Sequence, residues 1–552
     1  MGRLRCDLPG TGHVPVELIR WCPSATAWRL LKPASKDNGE LHTYQRFPAE
    51  LFTVPTVFRS GAEYREVLEG VNMLIVCSVL FPIAAGILAS VIRAGSYRER
   101  CFRYGAVSLI SLVLGIFTVL RGQPVTLFSF SENVSFTFEL DTLGRFFMTA
   151  VLILYTCAAF YAMEYMKMEE RQPTFFAFMY ISLGALIAVC ASGNLVTVYL
   201  CFEMATITTV PLVLHERTKS AIAAGLKYLF YSIGGAMMGL FGVFFIYYYG
   251  AADRTFRLGG FIDKAAVSGH EKILLAAVLA AVIGFGTKAG MYPMHGWLPT
   301  AHPIAPAPAS ALLSGIIAKA GVIAVIRVVY YCVGPDFIRG TYVQYTWMIL
   351  AMVTIFMGSM MAFLEKNMKK RLAYSTISQI SYIMLALSLL SDGGVRGAML
   401  HVMSHASSKG CLFMCAGVFI YKYGKRGVDE LVGIGRQMPA VMMCFLMASL
   451  SLVGIPPMGG FLSKWVIALN VADDGLGVLS VLPIVILLIS ALLTAGYLLP
   501  VAFKAFFPGE GAQASEERDE ASWLMVVPMI VLCCVSLVMG IYGTAILDVF
   551  GF

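Results

Sequence analysis

Apolar segments of about twenty residues recur from Met73 to the end of the chain, and short polar stretches separate them. An α-helix needs about this length to cross a bilayer. The pattern predicts an all-α integral membrane protein with about fourteen transmembrane helices. The predicted segments are 72–93, 104–121, 143–164, 173–192, 193–214, 219–248, 273–296, 307–333, 345–364, 370–391, 398–422, 438–471, 480–506 and 522–549.

Glycine and proline interrupt two of these segments. The first interruption, at 290–299, follows Lys288, and the second is GIPPMGG at 454–460. Broken helix at membrane depth is stable only inside protein or beside a wet cavity. Paired interruptions in two halves of a transporter indicate inverted repeats with the functional site at the breaks. We therefore predict broken helices 7 and 12 and two inverted five-helix repeats, at about 173–333 and 345–506.

The basic residues are distributed unevenly between the loops. The chain has 41 Lys and Arg against 33 Asp and Glu, and loops after odd-numbered helices, such as 93–103, 365–371 and 421–427, hold most of the basic ones. The positive-inside rule places these loops in the cytoplasm and both termini outside. The alternating stretch SENVSFTFELD, at 131–141, predicts a short extracytoplasmic hairpin. We therefore predict a multi-pass protein of the plasma membrane.

Residues 1–71 do not fit this pattern. They are mixed in composition, contain proline and basic residues, and lack the apolar core of a signal peptide. A basic tail of this size should resist export. Our hypothesis is that translation starts near Met73 and that 1–71 is a mis-annotated extension; the alternative is a real but poorly ordered tail. An intact-mass measurement distinguishes the two.

Several charged residues lie deep in apolar runs, where a charge costs about 2.5–3.5 kcal/mol on insertion scales. They are Glu203, Lys288, Lys319 and Lys464, with Lys227 nearer to a helix start. A lone lysine can extend its amine to the membrane interface. The short side chain of Glu203 cannot, so we expect a buried partner, and a structural ion pair is one interpretation.

A helix in the second half carries two histidines and a lysine. His401, His405 and Lys409 are spaced four residues apart, so they share one helix face over about 12 Å. Two histidines at this spacing could bind zinc, but HVMSH lacks the glutamate of the metalloprotease motif and Lys409 would repel a cation. We predict no metal site. A polar stripe that includes Ser404 and Ser408 suits water and protons; packing or capping histidines are the alternative.

Four motifs together resemble one large family. They are KAGMYPMHGWLPTAHPIAPAPASALLSGIIAKAGVIAVIR, HVMSHASSKGCLFMCAG, LAYSTISQISY and GIPPMGGFLSKW. They resemble the antiporter-like, proton-conducting subunits of respiratory complex I, of Mrp-type sodium/proton antiporters and of energy-converting membrane hydrogenases. The resemblance covers most of 72–549 and implies the family fold, with fourteen helices that contain two inverted five-helix repeats.

The resemblance also assigns roles to individual residues. Glu203 is similar to the fifth-helix glutamate of the family, and Lys288 to its partner on the broken seventh helix. The implied proton-transfer residues are Glu203, Lys288, Lys319, His401, His405 and Lys464. The implied secondary residues are Lys227, His295, His302 and Lys409.

The implied function is that of a proton-translocating membrane subunit in a complex I-like or hydrogenase-like, redox-driven ion pump of a prokaryotic inner membrane. The alternative is the D-type subunit of a multi-subunit Mrp antiporter with no redox partner; a scaffold that conducts nothing is a third hypothesis. The chain has no P-loop, Rossmann fingerprint, iron–sulfur or haem spacing, so we predict no cofactor. Other membrane subunits, such as antiporter-like paralogues and redox or hydrogenase-like subunits, are the expected partners, and nucleic acid is not.

Overall fold

Helices form nearly all the regular structure in the computed structural model, which describes residues 73–92, 95–131, 134–169, 171–473, 481–509 and 517–552. These residues all belong to the unit Gly61–Phe552. The expectation for 1–71 therefore lies outside the described residues. Within them, the only sheet is a hairpin of two antiparallel strands, β1 (Val125–Ser131) and β2 (Val134–Phe138).

Fourteen helical segments of the described ranges occupy the positions that the apolar pattern predicts. They are α1 (Leu74–Val91), α2 (Tyr97–Arg121), α3 (Thr142–Tyr165), α4 (Gln172–Cys190), α5 (Leu195–Val213), α6 (Lys219–Tyr248), α7a (Glu271–Ala289), α7b (Leu298–Ile304), α8 (Ala307–Val333), α9 (Tyr342–Leu364), α10 (Met368–Ser388), α11 (Asp392–Tyr423), α12a (Pro439–Val453), α12b (Gly459–Asp473), α13 (Val481–Phe506) and α14 (Trp523–Phe550). One-turn helices at Lys264–Val267, Pro335–Ile338, Asp429–Leu431 and Ile434–Gln437 lie in the connections.

Eleven of the described helices are long and apolar enough to cross a membrane. The other three segments are α10, α11 and the two halves of α12. The first two carry charged and polar residues along their length, and each half of α12 has only 15 residues. The prediction of an all-α membrane protein is confirmed.

Both predicted helix breaks are present. Helix α7a ends at Gly290, whose φ is +79°, and α12a ends at Gly454, whose φ is +95°. A left-handed conformation at a helix end favours glycine, because a Cβ would meet the preceding turn. At Gly454 a Cβ would also lie 3.1 Å from Cδ of Lys464. Glycine thus fixes both the end of α12a and the close approach of this lysine.

Helices at corresponding positions in the two predicted repeats have corresponding neighbours. In the first set, α4 packs against α5, α6 against α7a, and α7a against α8. In the second set, α9 packs against α10, α11 against both halves of α12, and α12 against α13. All of these contacts join helices that are consecutive along the chain, and the two inverted repeats stay a prediction.

Helix α8 lies at the centre of the bundle, and its 18-residue apolar window is completely buried. It contains two π-helical stretches, Leu313–Ile317 and Arg327–Val333. The outer helices differ, since they expose large apolar side chains such as Leu88, Phe230 and Leu492. Apolar exposure of this extent marks a surface that contacts lipid or another membrane subunit.

The predicted hairpin exists, but its predicted start at residue 131 is wrong. Strand β1 already begins at Val125, and six of its seven residues are exposed. A strand with little burial on either face needs no alternation of polar and apolar residues. The sequence pattern therefore marked only the second, more buried strand.

A buried ion pair joins the segment after the hairpin to α8. The guanidinium of Arg327 donates two hydrogen bonds to the carboxylate of Asp141, at 2.6 and 2.7 Å. The rings of Phe256 and Tyr331 lie 4.5 and 4.7 Å from the guanidinium carbon. Asp141 also accepts from the backbone N–H of Gly144 and so caps α3. One carboxylate therefore holds the start of α3 against the end of α8.

We expect Asp141→Asn to destabilise the protein by about 3 kcal/mol, because the amide keeps the helix cap but leaves the buried guanidinium without a counter-charge. The matched control is Asp548→Asn, because the carboxylate of Asp548 pairs with Arg396 and is 63% exposed. This surface pair should contribute less than about 1 kcal/mol. Equilibrium unfolding in detergent micelles with increasing sodium dodecyl sulfate measures both losses, and equal losses would contradict the prediction.

Candidate functional site

Lys288 lies in the last turn of α7a, and its side chain is buried. Its ammonium donates hydrogen bonds to Thr206 Oγ1 of α5, at 2.8 Å, and to the Tyr228 hydroxyl of α6, at 2.7 Å. The Tyr228 hydroxyl is also 2.8 Å from Thr209 Oγ1. The lysine is therefore held by neutral hydroxyl groups. Their oxygens accept its hydrogen bonds but supply no negative charge to balance the ammonium.

Glu203 is half-buried on α5, one helical turn before Thr206. It is within electrostatic reach of Lys288. Among the described residues, however, no ion pair joins the two, and the buried Oε1 of Glu203 has no hydrogen-bond partner. The structure thus brings Glu203 and Lys288 within electrostatic reach of each other, while Lys288 donates to Thr206 rather than to the carboxylate.

Lys319 is completely buried in the middle of α8. The π-helical turn Leu313–Ile317 precedes it, and the carbonyls of Ser314 and Gly315 accept hydrogen bonds from its Nζ. The same nitrogen is 2.8 Å from Nδ1 of His405 on α11. A wide π turn leaves carbonyls available for other donors. The backbone carbonyls of α8 therefore take the place of water around the Lys319 ammonium, which lipid could not do.

His401 and His405 lie one turn apart on α11, and their ring centroids are 6.0 Å apart. Nδ1 of His401 is 2.9 Å from Ser463 Oγ on α12b. The ring of Tyr382 stacks on His401 with centroids 5.4 Å apart. Nε2 of both histidines is buried and has no hydrogen-bond partner among the described residues. Each imidazole thus has one nitrogen engaged and one available to water.

Lys464 lies on α12b, next to the serine that contacts His401. Its Nζ donates to the carbonyls of Leu452, at 2.5 Å, and Val453, at 3.1 Å, which are the last of α12a. The ammonium also lies 5.0 Å from the Tyr382 ring centroid. A cation at a helix C-terminus is stabilised by the unpaired carbonyls and the helix dipole. The break in α12 therefore builds the site of this lysine.

These groups form three sites rather than one continuous chain of contacts. The described residues show no direct hydrogen bond between Lys288 and Lys319, although α7a and α8 touch closely enough that a Cβ at Gly321 would lie 3.0 Å from Lys288 Cβ. His405 and His401 are neighbours without a direct nitrogen–nitrogen bond. Proton movement between the sites requires bridging water, which buried polar groups with unused hydrogen-bonding capacity can hold.

Two family models match the chain. The one described as NADH:quinone oxidoreductase/Mrp antiporter, TM, matches residues 192–494, and the one described as NADH-Ubiquinone oxidoreductase (complex I), chain 5 N-terminus, matches 128–176. The first match covers more than half of the chain and includes all six predicted proton-transfer residues. The chain belongs to the family of antiporter-like, proton-conducting membrane subunits. The predicted resemblance is confirmed.

Relatives of this antiporter-like subunit come from three kinds of membrane complex. NADH-quinone oxidoreductase subunit N of Desulforudis audaxviator is 31% identical over 80% of this chain and 89% of its own length. Hydrogenase-4 component B of Escherichia coli is 28% identical over 72% of this chain, which spans only 61% of that protein. The structure of the Mrp complex from a Dietzia species shares the fold, with a TM-score of 0.71, 20% identity, and coverage of 87% of this chain and 96% of that one.

The two secondary histidines of the antiporter-like subunit lie at different depths. His302 of α7b is completely buried against Phe413, with ring centroids 4.9 Å apart, and neither ring nitrogen has a partner among the described residues. His295 is half-buried in the break and stacks on Tyr292 at 5.8 Å. In the described ranges, no three side chains of His, Cys, Asp or Glu come together as a metal site.

The two secondary lysines differ in the same way. Lys409 is completely buried, and its Nζ donates to the carbonyl of Leu372 on α10 at 3.1 Å. Lys227 is exposed on α6 and donates to Thr300 Oγ1 of α7b at 3.1 Å. Lys409 therefore extends the buried stripe of α11, whereas Lys227 lies at the outer surface beside the broken helix.

Several residues that contact the site were not predicted from the sequence. Thr206, Tyr228, Tyr382 and Ser463 contact the predicted residues directly. Spacing gave a partial signal, because Thr206 is one turn from Glu203 and Ser463 is adjacent to Lys464. Lys369 was counted as a loop charge, yet it is buried and its Nζ donates to the carbonyls of Pro303 and Ala305. Nothing in its local sequence distinguishes it from the exposed Lys366.

We expect Ser463→Ala to lower the rate of proton flux about fivefold, because loss of a hydrogen bond of about 1 kcal/mol releases the His401 ring from its orientation. The matched control is Ser449→Ala, since Ser449 is buried on α12a and bonds only to the carbonyl of Phe445 in its own helix. Flux into inverted vesicles that contain equal amounts of each variant gives the comparison. Equal rates in the two variants would contradict a positioning role for Ser463.

Proposed function

We propose that this antiporter-like subunit moves protons along a track formed by Glu203, Lys288, Lys319, His405, His401 and Lys464, as part of a redox-driven complex. The observation that carries the proposal is the 2.8 Å contact between Lys319 Nζ and His405 Nδ1. Both groups are completely buried, and Lys319 forms no ion pair with any described residue. A structural role would favour a carboxylate partner, whereas a proton donor and acceptor at this distance suit transfer.

The chemistry of the central step is simple. The Lys319 ammonium donates to His405 Nδ1, which accepts when the proton of the neutral ring is on Nε2. When His405 takes that proton, it can release the one on Nε2, because Nε2 has no hydrogen-bond partner among the residues that the structure describes. Bridging water then carries it to His401, which lies beside Ser463 and Lys464. Neutral histidine both donates and accepts, so the ring passes a proton without retaining a charge.

Glu203 controls the other end of the track. A carboxylate near Lys288 favours the ammonium form, and burial disfavours it. Because Lys288 bonds to Thr206 and forms no ion pair with Glu203 in the described structure, a small movement of α5 relative to α7a changes the interaction between the two charges strongly. A charge or conformational change in a neighbouring subunit, acting on the half-exposed Glu203, would in this way load or release the proton of Lys288.

The energy for uphill transport must come from partners. Moving one charge against 100 mV costs about 2.3 kcal/mol, and this chain has no cofactor motif that could supply it. The relation to NADH-quinone oxidoreductase subunit N, over most of both chains, favours a redox partner. The shared fold with the Mrp complex supports the second candidate, a subunit of a sodium/proton antiporter driven by an ion gradient.

We expect Lys319→Ala to reduce substrate-driven acidification of inverted vesicles to under about a tenth of the wild-type rate, because the central donor is lost. The vesicles hold the intact complex, and assembly is checked by co-purification. The matched control is Lys370→Ala, since Lys370 is 40% exposed and pairs with Glu365 at the surface.

Acidification that needs the redox substrate would establish a redox-driven pump, and sodium-for-proton exchange without that substrate would favour the antiporter. Unchanged flux in Lys319→Ala would refute the track.

We expect Glu203→Gln and Lys288→Ala to reduce pumping severely, to about a tenth or less, while leaving assembly largely intact. Both variants remove a charge without disrupting an ion pair of the described structure. Thr206→Val tests how Lys288 is held, because it keeps the volume and removes the hydroxyl that accepts from Lys288. Wild-type pumping in Glu203→Gln or Lys288→Ala would contradict their assigned roles.

A further inference from the structure

A cavity of about 270 Å³ opens between the start of α4, the end of α5 and the start of α6, away from the lysine and histidine track. Its walls include Arg171, Phe178, His215, Arg217 and Leu226. By the loop charges, this end of the helices faces the cytoplasm. The cavity therefore combines cationic and apolar groups at the depth where membrane helices meet lipid headgroups.

The polar side of the cavity is positively charged. Arg171 and Arg217 are exposed, and neither forms an ion pair with a described residue. His215 is 7% exposed, and its Nε2 has no hydrogen-bond partner in the described structure. Burial and the charges of both arginines lower the pKa of His215 to about 4, so the ring is neutral near pH 7. The carboxylate of Glu216, next to Arg217 in the chain, forms no ion pair with either arginine in the described structure and interacts electrostatically with Lys369.

Two helix ends add to this positive potential. Helix α4 begins after Arg171, which provides no side-chain cap, and α6 begins after Thr218, whose hydroxyl accepts from the N–H of Ala221. Both helices direct the positive ends of their dipoles toward this side of the bundle, and the C-terminal end of α5 offsets part of this potential. Helix N-termini favour anions, and phosphate groups in particular.

The apolar side of the cavity continues along the outer face of α6. Ile222, Leu226, Phe230, Ile233 and Met237 are spaced three or four residues apart, and each is more than 40% exposed. At this spacing they form one stripe that runs from the cavity toward the middle of the bilayer. A ligand bound at the arginines therefore has an apolar surface beside it for a hydrocarbon chain.

We propose that this cavity binds the phosphate of an anionic phospholipid, with the two arginines and His215 around the phosphate and one acyl chain along the stripe of α6. Guanidinium groups bind phosphate oxygens with two parallel hydrogen bonds, and the neutral imidazole can donate one more. Basic pockets between membrane helices on the cytoplasmic side suit such headgroups. Free phosphate would use the same cations but would leave the apolar stripe without a ligand.

The test uses the full-length chain purified in detergent, wild type and the double variant Arg171→Gln, Arg217→Gln. Native mass spectrometry measures the bound fraction during titration with phosphatidylglycerol, with phosphatidylcholine as the zwitterionic lipid and inorganic phosphate as competitor. We expect the wild type to bind phosphatidylglycerol in preference to phosphatidylcholine, and the double variant to bind it about tenfold more weakly. Phosphate at millimolar concentration should displace little of the lipid.

Arg436→Gln is the matched control, because Arg436 is exposed on another loop of the same predicted side and has no ion pair in the described structure. It should bind phosphatidylglycerol as the wild type does.

Leu226→Gln tests the stripe without altering the cations, and it should weaken lipid binding several-fold. Equal lipid affinity in the wild type and the double variant would overturn the site. If phosphate displaced all of the phosphatidylglycerol and Leu226→Gln bound the lipid as the wild type does, the ligand would be free phosphate and not a phospholipid.

Discussion

The other features of the candidate site depend on Lys319. Its ammonium group lies at the centre of an apolar bundle, and no carboxylate pairs with it among the described residues. Transfer of a charge from water to such a place costs several kcal/mol unless polar groups replace the water. At Lys319 those groups are two backbone carbonyls, supplied by a π turn, and one imidazole. In a regular helix each carbonyl already accepts from a backbone N–H, so it has less capacity left for a lysine than the carbonyls of the π turn. The irregular geometry of α8 and the histidines of α11 are therefore parts of one solution.

The same cost applies to Lys288 and Lys464, which lie beside the two helix breaks. A continuous helix spends its carbonyls on its own N–H groups, whereas an interrupted helix leaves its last carbonyls open. Lys464 uses the open carbonyls of α12a directly. Lys288 lies at the end of α7a but is held by hydroxyl groups of two neighbouring helices. The correspondence between the breaks is thus one of backbone position, and the chemical surroundings of the two lysines differ.

The apolar segments, both breaks and the polar face of α11 could be predicted from the sequence, because each depends on residues that are close along the chain. The π turn before Lys319 and the burial of Lys369 could not, since packing between distant helices determines both. The relation between Glu203 and Lys288 was predicted only as proximity. Its detail, in which Lys288 bonds to Thr206 and Tyr228 and forms no ion pair with Glu203 in the described structure, depends on how α5, α6 and α7a are oriented. The predicted hairpin began too far along the chain, because its exposed first strand lacks a hydrophobic pattern.

The cap that Lys464 places on α12a links the order of a helix end to the occupancy of an ionisable group. While the amine is charged, two carbonyls receive charge-assisted hydrogen bonds, which are roughly twice as strong as neutral ones. When the amine is neutral, the attraction of the helix dipole disappears and the same carbonyls become open to water. Loss of the proton therefore removes the charge and weakens the cap on this helix end. The protonation state of Lys464 and the order of the last turn of α12a are in this way coupled.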